Sequence, residues 1–265
     1  MRWELVRQEV FKLASQRFVY GLIAIVAILE IIMAVVTARA PAESSLDVIN
    51  ASGVFATGAE AGLRGAIYVL LVIGAMSLSR EFSLGTAKTF LVLPVRRIDW
   101  LVAKLIALTL LGVGLVALVF ALGAVVAAID PGWGAIQQDG IVMVSGHLQL
   151  RRIAVAAAFT GLLMLPVSAF AFTLGLHFTS SGAAVGVAVL LGLILDAAGN
   201  LSDTAGRYDF LAWVGRPLGQ IERMSKGLPC SWGTIGTWGL GLAAVSSAVL
   251  VAWTLWRFER MDIPG

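Results

Sequence analysis

The residues best suited to a specific chemical contact are clustered between Ser79 and Lys104, where charged side chains separate two long apolar runs. Gly85 and Pro94 bound the stretch Ala87–Leu93, so the spacing predicts a short amphipathic helix that can enter a cleft on a soluble partner. The flanking charges would contact the rim of that cleft. A hairpin that only fixes membrane topology would explain the basic residues, but it would not explain why an acid, a Gly-Thr pair, a proline and a basic pair follow one another in this order. The residues of interest are Glu81, Gly85, Thr86, Lys88, Pro94, Arg96 and Arg97.

Two carboxylates, Glu30 and Asp196, lie inside apolar runs. A charged side chain at membrane depth costs a few kcal/mol on insertion scales, so it normally faces protein, water or a partner. Both residues are therefore candidates for a translocation path or a proton site. Two simpler interpretations stay open: Asp196 is close enough to the outer end of its run to reach water, and Glu30 would pair with a basic residue of another helix.

No catalytic or metal-binding pattern is present in the sequence. His147 and His177 are far apart and are predicted on opposite sides of the membrane, and Cys230 is the single cysteine. The sequence also has no phosphate-binding loop of the Gly-x-x-x-x-Gly-Lys-Ser/Thr type. We therefore expect a protein that is not an enzyme, holds no metal and binds no cofactor by itself.

The composition indicates that these residues are positioned by membrane helices. The chain is 59% hydrophobic and 13% charged, with a mean hydropathy of +0.91, which is outside the range of soluble domains. A bilayer core roughly 30 Å thick requires about 20 helical residues, and six runs qualify, so we predict an all-α polytopic membrane protein. The predicted spans are Phe18–Ala38, Leu63–Ser79, Leu101–Ile129, Ile153–Phe178, Gly182–Leu201 and Ile235–Trp256.

The distribution of lysine and arginine predicts that both termini are cytoplasmic. With the N-terminus inside, 11 of the 19 basic residues lie inside and 8 outside. The inner ones are Arg2, Arg7, Lys12, Arg17, Arg80, Lys88, Arg96, Arg97, Lys104, Arg257 and Arg260. The net charge of +3 and the pI of about 9.4 suit anionic membrane lipid, so no nucleic-acid partner is expected.

The segments outside the spans are also informative. Residues 1–17 alternate apolar and charged side chains at helical spacing, which predicts an amphipathic helix on the inner leaflet before a single transmembrane domain at 18–265. The predicted outer loops are 39–62, 130–152 and 202–231. The last is too long for a turn, and its pattern predicts a half-buried interfacial helix broken at Pro217.

The order of Glu81, Gly85, Thr86, Pro94 and the basic pair that follows resembles the cytoplasmic coupling segment of ABC-2 type exporter permeases. The layout of six spans, an N-terminal elbow helix and a long outer loop is similar to theirs. The resemblance implies that Glu81 contacts a separate ATPase subunit, that Gly85 and Thr86 open the coupling helix and that Pro94 ends it. Lys88, Arg96 and Arg97 belong to the same surface.

The resemblance further implies the partners of the chain. They are ABC ATPase subunits that bind ATP and Mg, a second permease that is identical or homologous, and the lipid of the bacterial cytoplasmic membrane. Two alternatives remain: a proton-coupled secondary transporter that uses Glu30 and Asp196, and a membrane anchor or scaffold without transport. The scarcity of polar residues in the spans favours a hydrophobic or amphipathic substrate.

Overall fold

The computed structural model describes residues 3–39, 50–84, 96–129, 131–138 and 141–260. Of the predicted coupling segment, Gly85, Thr86, Lys88 and Pro94 lie outside the described residues.

The described chain is helical apart from one small hairpin and the segments that connect the helices, which confirms an all-α membrane fold. The hairpin pairs two short antiparallel strands between the third and fourth spans. The elements in chain order are α1 (Trp3–Ala14), α2 (Arg17–Arg39), α3 (Ala51–Ser83), α4 (Arg97–Ile129), β1 (Ile136–Gln138), β2 (Ile141–Val144), α5 (Gly146–His177), α6 (Ser181–Leu201), α7 (Asp203–Tyr208), α8 (Phe210–Ser225) and α9 (Leu240–Glu259). A π-helical turn, Ile235–Gly239, leads into α9.

Six helices are long and apolar enough to cross a membrane, namely α2, α3, α4, α5, α6 and α9 with its π-helical turn. The number of spans and their order are as predicted. The second span differs, because α3 begins at Ala51 and not near Leu63. Its first twelve residues mix polar and small side chains, which lowers their hydropathy, and they are largely buried by protein rather than lipid.

Side-chain contacts define two ends of the helix bundle. At one end, called the base, α1, the end of α3, the start of α4 and the end of α9 meet: Lys104 bonds to Glu81, and Trp100 packs on Phe258. At the other end, called the top, lie the start of α3, the hairpin, α7 and α8. There the side chain of Asn50, the N-cap of α3, donates to the carbonyl of Ser225 at 2.8 Å.

Helix α3 lies at the centre of the bundle and packs against α2, α4, α5, α6 and α8. Small residues allow its backbone to approach the neighbouring helices. A Cβ on Gly74 would lie 2.5 Å from the Cβ of Ala171 on α5, and a Cβ on Gly175 would lie 2.6 Å from the carbonyl oxygen of Ala75. Such contacts replace the hydrophobic drive that lipid does not supply.

At the top, α8 covers the ends of α3 and α5 with a strongly amphipathic face. The predicted break at Pro217 is wrong, since α8 runs without interruption from Phe210 to Ser225. Proline removes one backbone donor but does not always end a helix. Here Pro217 is itself buried on the inner face of α8, beside Val214 and Leu218, so packing holds the helix together.

Candidate functional site

The most polar part of the base is a buried ionic cluster formed by Glu9, Lys12, Glu81 and Lys104. The Nζ of Lys104 lies 2.8 Å from Oε2 of Glu9 and 2.8 Å from Oε1 of Glu81. Lys12 forms a second ion pair with Glu81. Lys104 and Glu81 are only 5% and 4% exposed. The cluster therefore joins three helices, α1, α3 and α4, through the buried charges of Glu9, Glu81 and Lys104, while the side chain of Lys12 is exposed.

Local sequence explains how each helix supplies its part. Helix α1 is amphipathic: it buries Val6 and Glu9, while the side chains of Trp3 and Phe11 are exposed, as expected for a helix at a membrane interface. Lys104 lies two turns into α4, and its ammonium is 5.1 Å from the ring centroid of Trp100, a cation–π contact. Long-range pairing thus brings the amphipathic helix onto the start of α4.

The cluster stabilises the fold only when all of its charged partners are present. Burying a charge costs several kcal/mol, which excellent geometry offsets, and removing one partner leaves an uncompensated charge. Glu81 has two lysine partners and Lys104 has two glutamate partners, so each buried charge is shared. A cavity of about 360 Å³ adjoins the cluster and is also lined by Gln16, Ser77 and Arg80.

The structure places Glu81 differently from the rim position that the sequence suggested. Its carboxylate is buried on Lys12 and Lys104 of this chain and is not presented on the surface. The side chain of Arg96 is exposed, directly before α4 begins at Arg97. Sequence reasoning missed Lys12 as a partner of Glu81 and Glu9 as a partner of Lys104. The polar face of α1 was the available signal, but nothing in it specifies a partner so distant in sequence.

Glu30 lies inside the bundle, at the junction of α2, α3 and α4. Its side chain is 0% exposed, and neither carboxyl oxygen has a hydrogen-bond partner among the residues that the structure describes. The expected pairing with a basic residue of another helix is therefore not found within the described chain. Gly62 and Gly123 face the carboxyl group, and their lack of a Cβ makes the space for it.

Asp196 belongs to a different site at the top. It is half-buried and lines a cavity of about 470 Å³ between α3, α6 and α8. The other charged residues that line this cavity are Glu60, Arg64, Arg216, Glu222 and Arg223. This placement agrees with the simpler interpretation that Asp196 reaches a polar space near the end of its span. The structure does not bring Asp196 and Glu30 into one junction.

Next to this cavity, Asp209 caps the N-terminus of α8. Its Oδ1 accepts a hydrogen bond from the backbone N–H of Leu211 at 2.9 Å, and its Oδ2 has no partner in the described structure. Burial raises the pKa of Asp209 above its ordinary value; the backbone N–H groups of Leu211 and Ala212 oppose this shift, and the charge of Asp196 adds to it.

Residues 63–264 match the model of the family described as "Protein of unknown function (DUF2705)". This covers more than half of the chain. The chain belongs to the DUF2705 family. No curated protein matches the sequence. The DUF2705 match contains Glu81, Lys104, Asp196 and Asp209, whereas Glu30 lies before it.

Proposed function

We propose that this DUF2705 protein is the permease subunit of an ABC exporter. In this proposal it lies in the bacterial cytoplasmic membrane with its base and both termini toward the cytoplasm. A separate ATPase subunit hydrolyses ATP with Mg and drives outward movement of a substrate. A second permease, identical or homologous, supplies the other half of the path.

The observation that carries the proposal is the buried ionic cluster at the base. Glu81 and Lys104 flank the segment 85–95 in sequence and are bonded to each other in space. The ends of α3 and α4 are thereby tied together, and Glu9 and Lys12 tie α1 to them. A partner that docks on residues 85–95 and pushes would move three helices as one body, which is how a soluble motor transmits rigid-body motion.

The central position of α3 extends this argument to the rest of the bundle. Because α3 packs against α2, α5, α6 and α8 as well as α4, displacement at its base would be transmitted to the top cavity. That cavity is polar and borders α3 directly through Glu60 and Arg64. The proposed path therefore connects a driven base with a polar chamber at the top.

The division of labour between chains follows from the sequence. It has no phosphate-binding loop, so in this proposal ATP and Mg bind to the partner ATPase. The buried position of Glu81 changes its proposed role, from direct contact with the ATPase to positioning the docking segment. Direct contacts are then assigned to Lys88, Arg96 and the predicted helix Ala87–Leu93.

Purification in mild detergent tests the proposal. The tagged chain should retain a nucleotide-binding subunit, identified by mass spectrometry, and the eluate should hydrolyse ATP. Replacing residues 87–93 with a Gly-Ser sequence of equal length should release that subunit. Glu222→Gln, at the exposed Glu222–Lys226 pair of the top, is the matched control and should retain it. A well-folded chain that purifies without an ATPase would overturn the proposal.

A further inference from the structure

Helices α2, α3 and α4 enclose the carboxyl group of Glu30 so closely that little free space remains around it. The Cβ position of Gly62 on α3 lies 2.7 Å from Oε2 of Glu30, and that of Gly123 on α4 lies 3.0 Å from Oε1. The ring of Phe55 lies against Gly123 and closes the space further. Alanine at either glycine would displace the carboxyl group, so these two glycines form a cradle for it.

Within the described structure no charge balances a Glu30 carboxylate. Along α2 the nearest charged residue toward the top is Arg39, nine residues away, or about 13 Å at the helical rise. On α3, Glu60 and Arg64 flank Gly62 but pair with each other at 2.9 Å on an exposed surface. On α4, Lys104 belongs to the cluster at the base. The surroundings of Glu30 are therefore apolar side chains and helix backbone.

A carboxylate in such a place would lose its hydration without compensation, whereas a neutral carboxylic acid loses much less. We propose that Glu30 is a neutral carboxylic acid and a proton-binding site of the membrane domain, holding its proton while α2 packs on α3 and α4 and releasing it to water when α2 separates from them. Release breaks the carboxyl O–H bond, leaves the electron pair on the carboxylate and transfers the proton to water.

The packing of α2 is one-sided, which suits the separation that proton release requires. Glu30 lies on one buried stripe with Val19, Val26 and Ala34, while the opposite face exposes Ile25, Leu29, Ile32 and Val36. One face of α2 therefore contacts the rest of the bundle, and the other is exposed and apolar. The seam is held by close approaches at glycine, with the Cβ position of Gly58 only 2.7 Å from the Cβ of Ala34. Separation at this seam would admit water to Glu30 without unfolding α2.

Infrared difference spectroscopy tests the proposal on the full chain in lipid bilayers at neutral pH. The wild-type spectrum should contain the carbonyl stretch of a protonated carboxylic acid that is lost in Glu30→Gln. Glu60→Gln is the matched control on α3, because Glu60 is an exposed, ion-paired carboxylate; it should lose carboxylate bands and keep the acid band. Asp209→Asn assigns any acid band that comes from Asp209. Loss of a carboxylate band in Glu30→Gln would overturn the proposal.

Two infrared measurements test the proposal without Glu30→Gln, in case that variant does not fold. Absence of any protonated-acid band in the wild-type protein would overturn it directly. The acid band should shift slowly when the wild-type protein is moved into deuterium oxide and faster in Gly58→Ala, which weakens the seam between α2 and α3. Equal exchange rates would refute the link between proton release and α2. Neither measurement involves an ATPase, so the outcome is independent of the proposed export function.

Discussion

The ammonium of Lys104 lies 2.8 Å from the carboxylate of Glu81, and this ion pair joins the two helix ends between which the segment 85–95 runs. Both groups are almost fully buried. The pair is therefore part of the framework of the base, where a proposed motor would act. Its loss should affect both the stability of the fold and the transmission of movement.

Lys104→Met should destabilise the protein strongly, because it leaves Glu9 and Glu81 with less positive charge in a buried site. We expect a loss of about 3 kcal/mol, measured by denaturant or thermal unfolding in detergent. Lys104→Arg should lose less, since it keeps the charge. The double variant Glu81→Gln/Lys104→Met should lose less than the sum of its single variants.

The exposed ion pair Glu60–Arg64 is the control for these Lys104 and Glu81 variants. Removing Arg64 should cost less than about 1 kcal/mol, because surface ion pairs are weak. Equal losses for Lys104→Met and Arg64→Met would show that the buried cluster does not hold the base together.

The spans could be predicted because a run of apolar residues suffices to define each one, whatever it contacts. The cluster could not, since the partners Glu9 and Lys104 are 95 residues apart and their pairing depends on how α1 packs on α4. The start of α3 was missed for a related reason: Ala51–Gly62 is buried by other helices, so its hydropathy need not match that of a lipid-facing span. Glu30 and Asp196 could both be found as charges within spans, but only the packing of the helices shows that Glu30 lies inside the bundle and Asp196 beside the cavity at the top.

Gly62→Ala should destabilise the junction around Glu30, because the added methyl group would lie 2.7 Å from Oε2 of Glu30. Overpacking of a filled site typically costs about 1–3 kcal/mol. Gly114→Ala, on the same helix as Gly123 but with open space around it, is the control and should unfold at the wild-type temperature or slightly above. A Gly62→Ala protein as stable as Gly114→Ala would contradict the close packing of the cradle.

Asp209 should make the top of the bundle less stable as the pH rises. Burial raises its pKa, so the packed state favours the neutral acid. The neutral Asp209 therefore contributes its full stabilisation below the ordinary pKa of aspartate. That stabilisation is lost as the pH rises from there through the raised pKa of Asp209. Asp209→Asn, which still caps α8, should flatten the dependence of the melting temperature on pH across that window. Asp209→Ala should lose about 1 kcal/mol with the cap.

The orientation of the bundle can be tested with introduced thiols once its one native cysteine, Cys230, is replaced. Cys230 is half-buried at the top, where its Sγ donates to the carbonyl of Gln220 at 3.3 Å. In a Cys230→Ser background, Ser231→Cys places a thiol at the top, and Ser83→Cys places one on the exposed end of α3 at the base. If the base is cytoplasmic, a membrane-impermeant maleimide added to intact cells should label only Ser231→Cys, and cell lysis should expose Ser83→Cys. The reverse pattern would place the segment 85–95 outside the cell, where ATP-driven docking cannot occur, and the exporter proposal would fail with it.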